Sequence, residues 1–91
     1  MTAELERTVL ISNRRGLHAR ASAKFVTLAS SQSAAIEVAK DGAKVAGTSI
    51  MGLMMLGAAQ GDSVTIRASG DGADKALEAL CGLVEGKFGE E

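Results

Sequence analysis

The chain has no proline, no tryptophan and no tyrosine, and only one cysteine and one histidine in 91 residues. Each shortage excludes something. Without proline, the turns depend on glycine, of which there are 11. Phe25 and Phe88 are the only aromatics, so a core has to be assembled from Val, Ile, Leu, Met and Ala, and the stacking surface of an RNA-recognition sheet is missing. Ten Lys and Arg against eleven Asp and Glu leave a net charge of −1, without the basic excess of a nucleic-acid binder. Cys81 has no second cysteine to pair with, which excludes an internal disulfide and fits a reducing, cytoplasmic setting. Cys81 and His18 are too few ligands for a zinc site, so no metal is expected, and no cofactor is expected either. No apolar run approaches the roughly 18 residues of a membrane span, and no basic-then-apolar leader is visible, so membrane insertion is not expected.

What is present suffices for one core. With 46% hydrophobic residues, the sequence reads as a single domain over residues 1–91. A polar lead-in, Met1 to Glu6, precedes a β-branched run, Thr8 to Ile11, expected as a strand within Arg7 to Ser12. Ala21, Phe25, Leu28 and Ala29 recur at helical spacing and predict a helix over Ala19 to Ser30. Ala34, Ile36 and Val38 alternate as in a half-buried strand. Asp41-Gly42 is a hairpin signal, with Ala43 to Val45 returning. Ser49 is placed to cap a short apolar helix that Gly57 closes. Val64, Ile66 and Ala68 mark the last strand. Asp71 is expected to cap a final amphipathic helix carrying Ala73, Leu77, Leu80, Val84 and Phe88, with Lys87 complementing its dipole. The order β-α-β-β-α-β-α predicts an α+β fold, with helices covering one face of a mainly antiparallel sheet.

The chemistry concentrates in Asn13 to Ser22. His18 stands just past Gly16 and at the edge of the first helix, where free backbone N–H groups and the positive end of the dipole favour an anion. A neutral imidazole is a competent nucleophile near neutral pH, since the ordinary histidine pKa is ~6.5. Arg20 adds a guanidinium. Together they suggest a phosphoryl group that lands on the ring and is held there. The residues alone leave open a carrier, a domain that holds a free anion, and an acylphosphatase-like hydrolase, for which no water-positioning residue can be assigned. Arg14 and Arg15 suit the steering of acidic partners. The all-round apolar helix leaves part of Ile50, Met51, Met54 and Met55 exposed as an adaptable docking patch. Cys81, between Leu77 and Val84, reads as a buried, inert thiol.

Two segments carry a resemblance. Gly16-Leu17-His18-Ala19-Arg20 resembles the phosphorylation-site motif of the HPr family, the histidine-containing phosphocarriers of the bacterial phosphoenolpyruvate-dependent phosphotransferase system. Thr48-Ser49-Ile50-Met51-Gly52-Leu53-Met54-Met55-Leu56-Gly57-Ala58-Ala59 resembles the family's regulatory serine and its short helix, at the family's separation. Ser22 stands where the family often has proline. The resemblance implies an open-faced β-sandwich, a four-stranded antiparallel sheet covered on one side by three helices. It implies that His18 accepts a phosphoryl group on Nδ1 from phosphorylated enzyme I and passes it to a IIA-type domain, in sugar uptake or in nitrogen and carbon regulation. Arg20 would stabilise the phosphate, and Ser49 would match the serine modified by an HPr kinase/phosphorylase. Arg14, Arg15, Leu17, Ile50, Met51, Met54 and Met55 are the expected partner surface. Such a protein is a relay rather than an enzyme, and nothing in the sequence demands more than a monomer.

Overall fold

The computed structural model describes residues 4–90, so Met1 to Ala3 of the expected lead-in lie outside the described residues. Four strands, β1 (Glu4–Leu10), β2 (Ala35–Lys40), β3 (Ala43–Ala46) and β4 (Ser63–Ser69), and three helices, α1 (Ala19–Ser30), α2 (Ile50–Met55) and α3 (Ala73–Glu85), follow in the order β1-α1-β2-β3-α2-β4-α3. The sheet runs β1-β4-β2-β3 with every neighbour antiparallel. Its register sorts the side chains. Val9 lies opposite Val64, Val38 opposite Ile66 and Ile36 opposite Ala68, and all six are buried beneath the helices. On the other face Thr8 and Thr65 share a hydrogen bond of 2.9 Å, and Arg67 reaches Glu37 at 3.3 Å and Glu6 at 3.5 Å. A polar outer face and an apolar, helix-covered inner face make the open-faced sandwich that the resemblance implied. Helix α3 packs on β1 and β4, while α1 is wedged between α2 and α3.

Local signals read from sequence are visible in the turns. Asp41 and Gly42 both have positive φ, 51° and 85°, as a tight hairpin turn requires. Ser49 caps α2 by accepting the Gly52 N–H at 3.0 Å, and Gly57 closes it at φ 66°.

Three expectations need correction. Strand β1 starts at Glu4, inside the expected polar lead-in, and stops at Leu10, because antiparallel pairing with β4 from Glu4–Ser69 to Leu10–Ser63 satisfies its backbone whatever the side chains. Gly72, not Asp71, occupies the N-cap of α3 at φ 74°, with no side-chain cap. Helix α3 ends at Glu85, so Lys87 lies beyond its last turn and cannot complement its dipole from there. Lys87, Phe88 and Gly89 instead form a left-handed turn, with φ of 58°, 56° and 73°. Left-handed backbone costs about 1–2 kcal/mol per non-glycine residue. The turn is held because it returns Phe88 to the core, where the ring is 1% exposed, and because Lys24 Nζ donates to the Phe88 carbonyl at 2.7 Å.

Replacing Phe88 by Ala is therefore expected to lower stability by about 3–5 kcal/mol, a large share of the roughly 5–15 kcal/mol that holds a domain together. Urea titration checks this, and a loss below about 1 kcal/mol would show that the ring does not hold the turn.

Candidate functional site

The site is built by the loop from Ile11 to His18. Its first residue is fixed on both sides, Ile11 N–H donating to Asp62 and Gly61 N–H donating to the Ile11 carbonyl, each at 2.8 Å. Gly16 then turns at φ 65°, a conformation that favours glycine, and lies so close to the 58–59 backbone that a Cβ would stand 2.4 Å from the Ala58 oxygen. Leu17 N–H donates to that same oxygen at 2.9 Å. The close approach sets the entry of α1 against a rigid neighbour.

His18 is the N-cap of α1. Its backbone is extended (φ −73°, ψ 179°), and its Nδ1 accepts from the Arg20 N–H at 3.3 Å. Ser22, buried in the first turn, donates through Oγ to the Leu17 carbonyl at 3.2 Å, tying the helix to the loop. The ring's other nitrogen, Nε2, meets the Glu90 carboxylate, and both side chains are about five-sixths buried (15% and 17% exposed). Glu90 is fixed in turn by Asn13. Asn13 Nδ2 donates to Glu90 Oε1 at 3.0 Å and to the Gly16 carbonyl at 2.8 Å. The hydrogen bond from Asn13, then that from His18, holds the Glu90 carboxyl below its ordinary pKa.

Protonation follows from these contacts. An ionised carboxylate only accepts, so Nε2 carries the proton, and Nδ1, which accepts from a backbone N–H, carries the lone pair. That lone pair faces the helix N-terminus. Arg14, Arg15, His18, Arg20 and Glu90 line a cleft of about 240 Å³ around it. None of the three arginines forms an ion pair among the described residues, and all are exposed. An anion entering the cleft therefore meets uncommitted guanidiniums.

The remaining sequence candidates fall elsewhere. Leu17, expected on the partner surface, is 6% exposed and belongs to the core, because the Gly16 turn and its own N–H bond to Ala58 direct it inward. Ile50, Met51, Met54 and Met55 are 40–79% exposed, whereas Leu53 and Leu56 of the same segment face the core. The hydroxyl of Ser49 is engaged as the α2 cap. Cys81 is fully buried, and burial pushes its thiol up. Asn13 and Glu90 were not among the candidates. No local pattern marks either, and the contact between Glu90 and His18 spans 72 residues.

A family model described as the PTS HPr component phosphorylation site matches residues 5–86. The chain belongs to the HPr family. The phosphocarrier protein NPr of Shewanella violacea is 44% identical over 87 residues, 96% of each chain. The phosphocarrier protein HPr of Cupriavidus necator is 42% identical over 86 residues, 94% of this chain and 97% of the relative. The solved structure of HPr-C-His from Thermoanaerobacter tengcongensis superimposes with a TM-score of 0.91 at 50% identity, covering 96% of this chain and 98% of that one. The HPr-family fold and the phosphocarrier role in the phosphotransferase system are thereby shared. Among the described residues, no helix is long and apolar enough to cross a membrane.

Because the folded Glu90 carboxyl titrates below its ordinary value of 4.5, its contribution to stability is present above that value and lost as pH falls through the lower folded one. Urea titrations at neutral and strongly acidic pH check this. Glu90→Gln is expected to be less stable than the parent at neutral pH and equal to it in strong acid; a gap that persists in acid would contradict the linkage.

Proposed function

We propose that this HPr-family chain carries a phosphoryl group on Nδ1 of His18, taken from phosphorylated enzyme I and given to a IIA-type acceptor, in sugar uptake or in nitrogen and carbon regulation. The observation that supports this most directly is the Nδ1 lone pair held at the N-terminus of α1 beside Arg20. Phosphoryl transfer passes through a loose transition state, so a carrier mainly positions the group and stabilises its charge. The N–H groups at the start of α1 and the Arg20 guanidinium suit the phosphoryl oxygens. Phosphorus on imidazole keeps a good leaving group and moves on, whereas a serine ester is a stable mark. On this reading the protein is a relay, itself the substrate of its partners, acting as a monomer in the cytoplasm. Charged residues on edge strand β1, Glu4, Glu6 and Arg7, suit a chain that does not pair edge to edge.

The exposed Ile50, Met51, Met54 and Met55 form the docking patch, and Arg14 and Arg15 steer acidic partners toward it. Ser49, if modified by an HPr kinase/phosphorylase, gains about two negative charges beside that patch. The charge repels an acidic partner and so acts as a switch.

Labelling from phosphoenolpyruvate and enzyme I tests the relay. The parent is expected to take an acid-labile, alkali-stable label, His18→Ala none, and Arg20→Ala the same label roughly 100- to 1,000-fold more slowly. No label on the parent, with the enzyme I active on another carrier, would overturn the reading. In the same assay, ATP and an HPr kinase/phosphorylase should label the parent but not Ser49→Ala, and an unlabelled parent would remove the switch.

A further inference from the structure

We propose that Asn13 and Glu90 are a positioning pair for His18: they hold its proton on Nε2 and keep Nδ1 as the nucleophile through successive rounds of transfer. This rests on His18 being the phosphoryl acceptor.

The pair is over-determined. Asn13 is fully buried, and its amide nitrogen donates to two acceptors, the Gly16 carbonyl and Glu90 Oε1, so its orientation is fixed by its partners. That orientation leaves Oδ1 buried with no partner among the described residues. A buried unpaired acceptor is unfavourable, so the double donation outweighs it. With one carboxylate oxygen occupied by Asn13, the other meets His18 Nε2. The chain reaches this place through a left-handed turn containing two non-glycine residues, Lys87 and Phe88. Continuing α3 would instead carry Glu90 further along the helix axis, at about 1.5 Å per residue. Strained backbone persists only where its surroundings impose it, and here the buried Phe88 ring and the Lys24 bond to the Phe88 carbonyl do so.

The chemistry explains what the pair accomplishes. In acceptance, the Nδ1 lone pair forms the N–P bond, while the bond from phosphorus to the donor breaks and its electron pair leaves with the donor. The ring, still bearing its Nε2 proton, becomes positively charged. The Glu90 carboxylate against that proton offsets the charge from the Nε2 side of the ring, while the phosphoryl group is bonded to Nδ1. In onward transfer the N–P bond breaks, the pair returns to Nδ1, and the ring is again neutral with its proton on Nε2. No proton has to be exchanged with water between rounds, and the ring is never left in the tautomer that cannot attack. A carboxylate orienting the far nitrogen of a catalytic imidazole is the same device that triads use.

Two readouts on the 15N-labelled, unphosphorylated chain and on its transfer kinetics test the pair. In the parent, the His18 Nε2–H proton is expected as a resolved resonance, protected from water by its bond to Glu90. Glu90→Ala should lose that resonance and lower kcat for phosphorylation by enzyme I about tenfold, with KM within about twofold. Glu90→Gln retains an oxygen acceptor and should keep the resonance while recovering only part of the rate. Asn13→Ala should weaken the resonance if it folds, and Glu90→Ala alone decides the matter if it does not. An Nε2–H resonance unchanged in Glu90→Ala, or an unchanged kcat, would overturn the proposal. A parent that accepts no phosphoryl group would overturn the relay instead, while the resonance would still report on the pair.

Discussion

One imidazole held between a helix N-terminus on Nδ1 and a carboxylate on Nε2 is the constraint that the rest of this structure serves. Both nitrogens have assigned partners, so the ring's tautomer and direction are set before any ligand arrives. An exposed loop histidine would sample several rotamers and both tautomers. Here the backbone of Gly16, the hydroxyl of Ser22 and the amide of Asn13 each remove one of those freedoms.

The sheet makes that possible without contributing a side chain to the cleft, and of the helices only α1 contributes one, Arg20. Strand β4, paired on both sides, fixes the turn that ends at Asp62, and Asp62 receives the Ile11 N–H at the root of the loop. The short helix α2 leads into Ala58, whose carbonyl meets Leu17. Phe88 seals the core and turns the chain back to place Glu90. Packing energy, which is non-directional, is thus converted into a directional arrangement at one ring. The polar face of the sheet takes no part in this, and its Glu6–Arg67–Glu37 and Thr8–Thr65 contacts suit water.

The parts of this arrangement that sequence reasoning reached are those carried by short-range physics. Both ends of α1 followed from apolar spacing, Asp41-Gly42 from the need for positive φ, and the Ser49 cap from its position before an apolar run. The misses have a common origin in long-range pairing. The first residues of β1 look like a polar lead-in because Glu4, Leu5 and Glu6 are all exposed and their pairing partners lie more than sixty residues away. Phe88 continued the helical spacing of α3, so the left-handed turn that actually buries it was invisible. Leu17 sits inside the motif that carries the chemistry, yet its side chain belongs to the core. Glu90 carries no local signal of its contact with His18, which lies 72 residues away.

The direct measurement is of the bond itself. A 31P–15N correlation spectrum of the phosphorylated, 15N-labelled protein identifies which ring nitrogen carries phosphorus. The account predicts coupling from phosphorus to Nδ1 of His18, with the proton retained on Nε2 while the ring is positively charged. Coupling to Nε2, or phosphorus on any residue other than His18 after reaction with enzyme I, would contradict it.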